Sequence, residues 1–210
     1  MSFYENHIFP IALDIALMGV KQTRQEMIAS AEGKVLEVGI GNGANLQYYT
    51  DKASEVVGIE PCQAMVDMAQ KKVDKLEGGA DKFALHVGGG EALPFEDNSF
   101  DTAVACLVFC TIPEAEAAAR EMYRVLKPGG TLLFFEHVES EGKVMSKVQK
   151  LFNPIWKPLA CGCNLTRDTY TLFDEVGFVY DEVERYVHPK MVSFFASVIE
   201  GRAVKPLQEA

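Results

Sequence analysis

Positive charge is the scarcer sign in this chain: 20 Lys+Arg stand against 30 Asp+Glu, a formal net charge of −10. Such a surface repels phosphate backbones, and no basic patch stands out to offset it, so nucleic acid is not an expected partner. Long apolar runs are lacking as well. The longest early one, Ile8 to Val20, is too short to span a bilayer, is broken by Asp14, and follows Glu5 rather than a basic run. Neither a transmembrane helix nor a signal peptide is expected, while peripheral contact of the N-terminal helix with a membrane stays open. The five cysteines are an odd number and form no disulfide framework, which points to a reducing, cytoplasmic setting. Cys161-Gly162-Cys163 has no second cysteine pair at zinc-site spacing, so no metal is expected.

What is present is ordinary globular material, 48% hydrophobic and 24% charged over 210 residues, with no internal repeat and no interdomain linker. One domain is expected over 1–210. Within it, 1–30 reads as an N-terminal helical lid, 31–140 as a ligand-binding core, and 141–210 as a substrate-side loop, a last helix and a closing hairpin. Short apolar runs at 34–38, 55–59, 82–87, 101–107 and 131–135 read as strands. Helical spacing from about 44, over 61–76, and from Pro113 to Leu126 alternates with them, which predicts an α/β domain with a largely parallel sheet. Residues 141–165, with Pro154 and Pro158, read as loop and short helix. A helix follows from about Arg167 to Val176, with Thr166 as its N-cap. Runs at 178–186 and 194–204 are too close for a helical crossover and should pair antiparallel.

Glu37-Val38-Gly39-Ile40-Gly41-Asn42-Gly43 sits between a strand and a helical segment, where glycines allow a tight turn and close ligand approach to main-chain N–H groups. Glu60 ends the next strand, about 20 residues after the first glycine, where a carboxylate can accept from both ribose hydroxyls. An adenosine-type cofactor follows. NAD is a rival, because the loop also fits a dinucleotide fingerprint. Against it, Glu37 precedes the glycines, where it can face a cationic amino acid group through the loop, and the closing hairpin is unlike a second mononucleotide half.

With Leu93-Pro94-Phe95, Ser99-Phe100-Asp101 and Val125-Leu126-Lys127-Pro128-Gly129-Gly130, these motifs resemble class I S-adenosylmethionine-dependent methyltransferases from Lys34 onward. Cys106–Cys110, Phe135-Glu136-His137-Val138 and Cys163–Arg167 are similar to the alkyl thiol methyltransferases. Bacterial phospholipid and quinone methyltransferases look similar over the glycine loop and the final third. The resemblance implies a Rossmann-like, doubly wound, mostly parallel seven-stranded sheet with a C-terminal antiparallel hairpin. It also implies S-adenosylmethionine as cofactor, S-adenosylhomocysteine as product and a small-molecule acceptor, with a thiol favoured. The cofactor residues implied are Glu37, Gly39, Gly41, Asn42, Gly43 and Asn45 in the loop, then Glu60, Pro61 and Met65, and finally Gly90, Glu91, Cys106 and Leu107. The family often has an acid before Leu93-Pro94-Phe95. Here that stretch is Gly88-Gly89-Gly90-Glu91, so backbone carbonyls or Glu91 must receive the adenine amino group.

Methyl transfer needs positioning, exclusion of water and, for a thiol, a nearby base. By topology Cys106–Thr111 and Glu136-His137 lie beyond the strand ends, where ligands bind in open sheets. His137 is the candidate base, Glu136 a second catalytic candidate or an organiser of the loop, and Cys110 a third. Phe3, Tyr4, Ile8, Phe9, Phe152, Ile155 and Trp156 form either an apolar lid over the acceptor or a satellite core.

Overall fold

The computed structural model describes residues 18–207. Helix α1 (Lys21–Ala29) leads into β1 (Gly33–Val38), β2 (Ala53–Glu60), α2 (Gln63–Val73), β3 (Phe83–Val87) and β4 (Phe100–Cys106). Then come α3 (Ala115–Val125), β5 (Leu126–His137), α4 (Lys143–Leu159), α5 (Thr169–Val176), β6 (Val179–Val187) and β7 (Ser197–Val204). They form one seven-stranded sheet in the order β3-β2-β1-β4-β5-β7-β6. The first five strands run parallel, and β7 enters antiparallel between β5 and β6. The sheet and its closing hairpin are those expected. The strand order reverses between β1 and β4, and a crevice opens beyond the carboxyl ends there.

The central strands are apolar throughout because helices cover both faces. Val35, Leu36, Val56, Ala103, Val104, Leu132 and Phe134 are all buried. Phe109, from the loop after β4, sits edge-on to Phe173 of α5 at 4.8 Å, and Phe173 in turn meets Phe134 of β5 at 5.7 Å. These aromatic contacts tie the loop beyond β4 into the core.

Three local expectations change. The helix expected from Ala44 is a single 3₁₀ turn, Leu46–Tyr48, because Asn45 and Tyr49 turn inward to bond Glu37. Residues 143–159 form one continuous helix despite Pro154 and Pro158. Side-chain contacts hold it across the missing backbone bonds: Gln149 donates to the Phe194 carbonyl, Asn153 accepts from Leu165 N–H, and Trp156 stacks on Phe195. The cap of α5 is Asp168, whose carboxylate accepts from Thr171 N–H, rather than Thr166. Residues 1–17, which include Phe3, Tyr4, Ile8, Phe9 and most of the expected lid helix, lie outside the described residues.

Candidate active site

Beyond the ends of β1, β2 and β4 lies a cavity of about 400 Å³, within the range of small-molecule and cofactor sites. Gly39, Gly41, Asn42, Asn45, Glu60, Pro61, Met65, Gly90, Glu91, Cys106 and Leu107 line it. Glu37, Gly43, Cys110, Glu136 and His137 do not. Arg24, Val108, Thr111, Ile112, Pro113 and Cys161 complete the wall on the side of α1 and β4.

The glycine loop owes its shape to two different demands. Gly39 has φ 72°, and a Cβ there would run into the Val108 side chain, so the loop passes beneath Val108 only as glycine. Gly41 has φ 55°, yet a Cβ would meet nothing nearer than the Gly39 carbonyl oxygen at 4.0 Å. The space on that side belongs to the cavity. Gly43 serves packing instead, since a Cβ there would press on Leu46 and Ala69.

Glu60 reaches the cavity from the end of β2. One carboxylate oxygen accepts from Gly41 N–H at 3.2 Å and the other from Cys62 N–H at 3.0 Å. Burial raises its pKa, against the lowering effect of those two N–H donors. Each oxygen keeps a lone pair for a further donor, as recognition of a diol requires.

Glu37 is fully buried behind the loop. Its oxygens accept from Asn45 Nδ2 at 2.6 Å and the Tyr49 hydroxyl at 2.8 Å. The Asn45 oxygen accepts from both Nε and an Nη of Arg24, at 2.9 and 2.7 Å. The expectation that Glu37 meets a ligand through loop groups thus becomes a chain, Glu37 to Asn45 to Arg24, whose last two members reach the cavity. Arg24 and Tyr49 were missed in the sequence. Tyr49 stands next to another tyrosine without distinguishing context, and Arg24 lies on an N-terminal helix with no motif around it.

Glu136, also fully buried, accepts from Val108 N–H at 2.9 Å and Phe109 N–H at 3.1 Å. Burial pushes its pKa up to about 8 against these donors. It organises the loop that ends in the cavity wall. Leu107 in that loop has φ 54°, rare for a branched apolar residue, and is tied to the Phe135 carbonyl by its N–H at 2.7 Å. His137 is 3% exposed and is not among the residues that line the cavity. Burial lowers its pKa to about 4, so it is a neutral imidazole near neutral pH. Cys110 is buried and its thiol contacts Cys163. Phe152 and Ile155 are exposed on α4 and Trp156 packs against Phe194 and Phe195; none of the three lines the cavity.

Residues 36–134 match the methyltransferase domain family. A thiol S-methyltransferase of Homo sapiens, TMT1B, is 32% identical over 85% of this chain and 74% of its own length. A phosphatidylethanolamine N-methyltransferase of Cereibacter sphaeroides is 33% identical over 56% of this chain and 57% of its own. Among solved structures, a SAM-dependent methyltransferase from Methanosarcina mazei superposes with a TM-score of 0.68 at 21% identity, covering 83% of this chain and 93% of that one. The NAD-linked alternative falls with these matches, because relatives over most of the chain and the antiparallel closing hairpin both point elsewhere. The chain belongs to the class I S-adenosylmethionine-dependent methyltransferases.

Proposed function

We propose that the cavity binds S-adenosylmethionine and that the chain transfers its methyl group to a small hydrophobic thiol. The observation that carries the cofactor reading is the convergence of Glu60 and the glycine loop on one cavity. Glu60 would accept from the two ribose hydroxyls, Gly41 would let the loop backbone approach, and Gly88–Glu91 would face the adenine. Arg24 offers a positive charge to the carboxylate of the methionine portion, with Asn45 holding its guanidinium in place. The bound cofactor would supply an electrophilic methyl carbon on a sulfonium.

The thiol reading rests on the thiol S-methyltransferase relative and on the apolar wall of Leu107, Val108, Ile112 and Pro113 beyond β4. That wall strips water from an acceptor while leaving its sulfur free. A thiol of pKa about 8.5 is a few per cent thiolate near neutral pH, and that fraction enters from solvent as the nucleophile, so His137 is not needed as proton acceptor. Release of S-adenosylhomocysteine with short alkane thiols, compared with polar amines and catechols of similar size, tests this. Turnover with amines alone would overturn the thiol assignment and leave the family assignment standing.

Contact with a lipid surface is supported by α4. Val144, Leu151, Ile155 and Leu159 recur along its length and are 59–78% exposed, while the helix carries Lys143, Lys147, Lys150 and Lys157 and no acid. Against a chain of net charge −10 this is a local basic strip, which the sequence reading passed over. A basic amphipathic helix of this kind suits the interface of an anionic membrane. No helix among the described residues is long and apolar enough to cross a membrane.

A further inference from the structure

We propose that Cys110, His137 and Cys163 form a three-ligand binding site for a borderline-soft d¹⁰ cation, Zn²⁺ first among them. The three residues come from separate segments: the loop after β4, the last position of β5 and the loop after α4. The fold brings one ligating atom from each to within 4.8 Å of the others. In a tetrahedral zinc site, bonds of about 2.3 Å to sulfur and about 2.0 Å to nitrogen put neighbouring donors roughly 3.5–3.8 Å apart. A shift well within side-chain reach closes the trio around an ion.

A second, independent observation marks the place. His137 is almost wholly buried, and neither of its ring nitrogens has a hydrogen-bond partner among the described residues. Buried polar atoms are normally satisfied, and a cation between the two sulfurs would take up one of these nitrogens. The thiols of Cys110 and Cys163 are themselves in contact. Two bonds hold the loops together without an ion: Asn164 N–H donates to the Cys110 carbonyl at 2.7 Å, and the Arg167 guanidinium donates to the Ile112 carbonyl at 2.8 Å. Two thiolates and an imidazole are the donor set of zinc and of monovalent copper rather than of magnesium or calcium. Three protein ligands leave a fourth tetrahedral position for water or a small solvent-borne ligand. Cys161, although closer in sequence to Cys163 than the other two, is not one of the three.

The test uses the full chain, kept reduced, stripped by a chelator and titrated with Zn²⁺ in competition with a chromophoric indicator. One ion per chain is expected, with a rise in melting temperature on loading, because an ion that binds only the folded state stabilises it. Co²⁺ in its place should give tetrahedral d–d bands and thiolate-to-cobalt charge transfer. Cys110→Ser, His137→Ala and Cys163→Ser should each weaken Zn²⁺ at least about tenfold, and Cys161→Ser should not. Should a ligand variant fail to fold, the wild-type stoichiometry and the cobalt spectrum still decide. No stoichiometric ion, a cobalt spectrum without charge transfer, or affinity retained in Cys110→Ser would each overturn the site.

Discussion

The Tyr49 hydroxyl donates to Glu37 at 2.8 Å, in a place where neither side chain meets solvent. Burial raises the Glu37 pKa, and the donors Asn45 and Tyr49 work against that rise. Because the folded pKa lies above the unfolded one, the native chain holds the extra proton. The group's contribution to stability is therefore full below the unfolded carboxylate pKa and is lost as pH rises through the folded value. Tyr49→Phe removes one donor and should cost about 1–3 kcal/mol. It also raises the folded pKa further, so its deficit relative to wild type should widen as pH climbs out of the acid range. Urea unfolding at acid and neutral pH measures this. A deficit that stays constant would show that Glu37 does not titrate in that window.

Glu60 should govern the affinity for S-adenosylmethionine. Glu60→Ala is expected to weaken binding by about 2 kcal/mol, the scale for losing charge-assisted hydrogen bonds. Its pKa is raised by burial, so wild-type affinity should decline on acidification sooner than for an ordinary glutamate. Glu60→Gln should bind more weakly and lack that decline. Calorimetric titrations across the acid range read both effects, and a Glu60→Gln protein with the wild-type pH profile would move the ribose site elsewhere.

The motifs that made the fold legible are in good part structural. Asp101 accepts from Lys34 N–H at 2.8 Å and pairs with Lys127 at 2.6 Å, joining the starts of β1, β4 and β5. Arg124 binds the carbonyls of Leu93 and Phe95, which fixes the Leu93-Pro94-Phe95 turn. These residues lie in or beside the short motifs of the sequence, which is why the motifs are readable, and Glu60 with the glycine loop does the same for the cavity. Arg24's place beside Asn45 and the Cys110–His137–Cys163 trio leave none, because their members come together only through the fold. The length of α4 was hidden for another reason. Its prolines argue locally against a helix, and the contacts of Gln149, Asn153 and Trp156 that outweigh them are tertiary.

The exposed apolar face of α4 should bind anionic vesicles and spare neutral ones. Leu151→Glu with Ile155→Glu removes two apolar groups and adds two negative charges to the strip, and should lower binding at least about tenfold, given roughly 0.8 kcal/mol per buried methylene. Vesicle flotation with phosphatidylserine or phosphatidylcholine, at low and high salt, is the measurement. Equal binding to both lipids, or no loss in the double variant, would assign the face to another use.

Glu136 should act on the cavity from behind, as a positioning residue. Its two oxygens hold Val108 and Phe109 N–H, and Val108 lines the cavity next to Leu107 with its positive φ. Glu136→Gln preserves the volume but can offer an acceptor to only one of these N–H groups; the other then faces an amide NH₂. One unsatisfied buried donor costs about 1–3 kcal/mol, a fall in melting temperature of roughly 2–4 °C for each kcal/mol in a chain of this size. With its anchor halved, the loop from Leu107 to Phe109 should sample other conformations, and S-adenosylmethionine should bind more weakly. Glu175→Gln, at an exposed carboxylate on α5, controls for charge alone. A Glu136→Gln protein that melts and binds like wild type would mean the loop is held by Phe109 in the core rather than by the carboxylate.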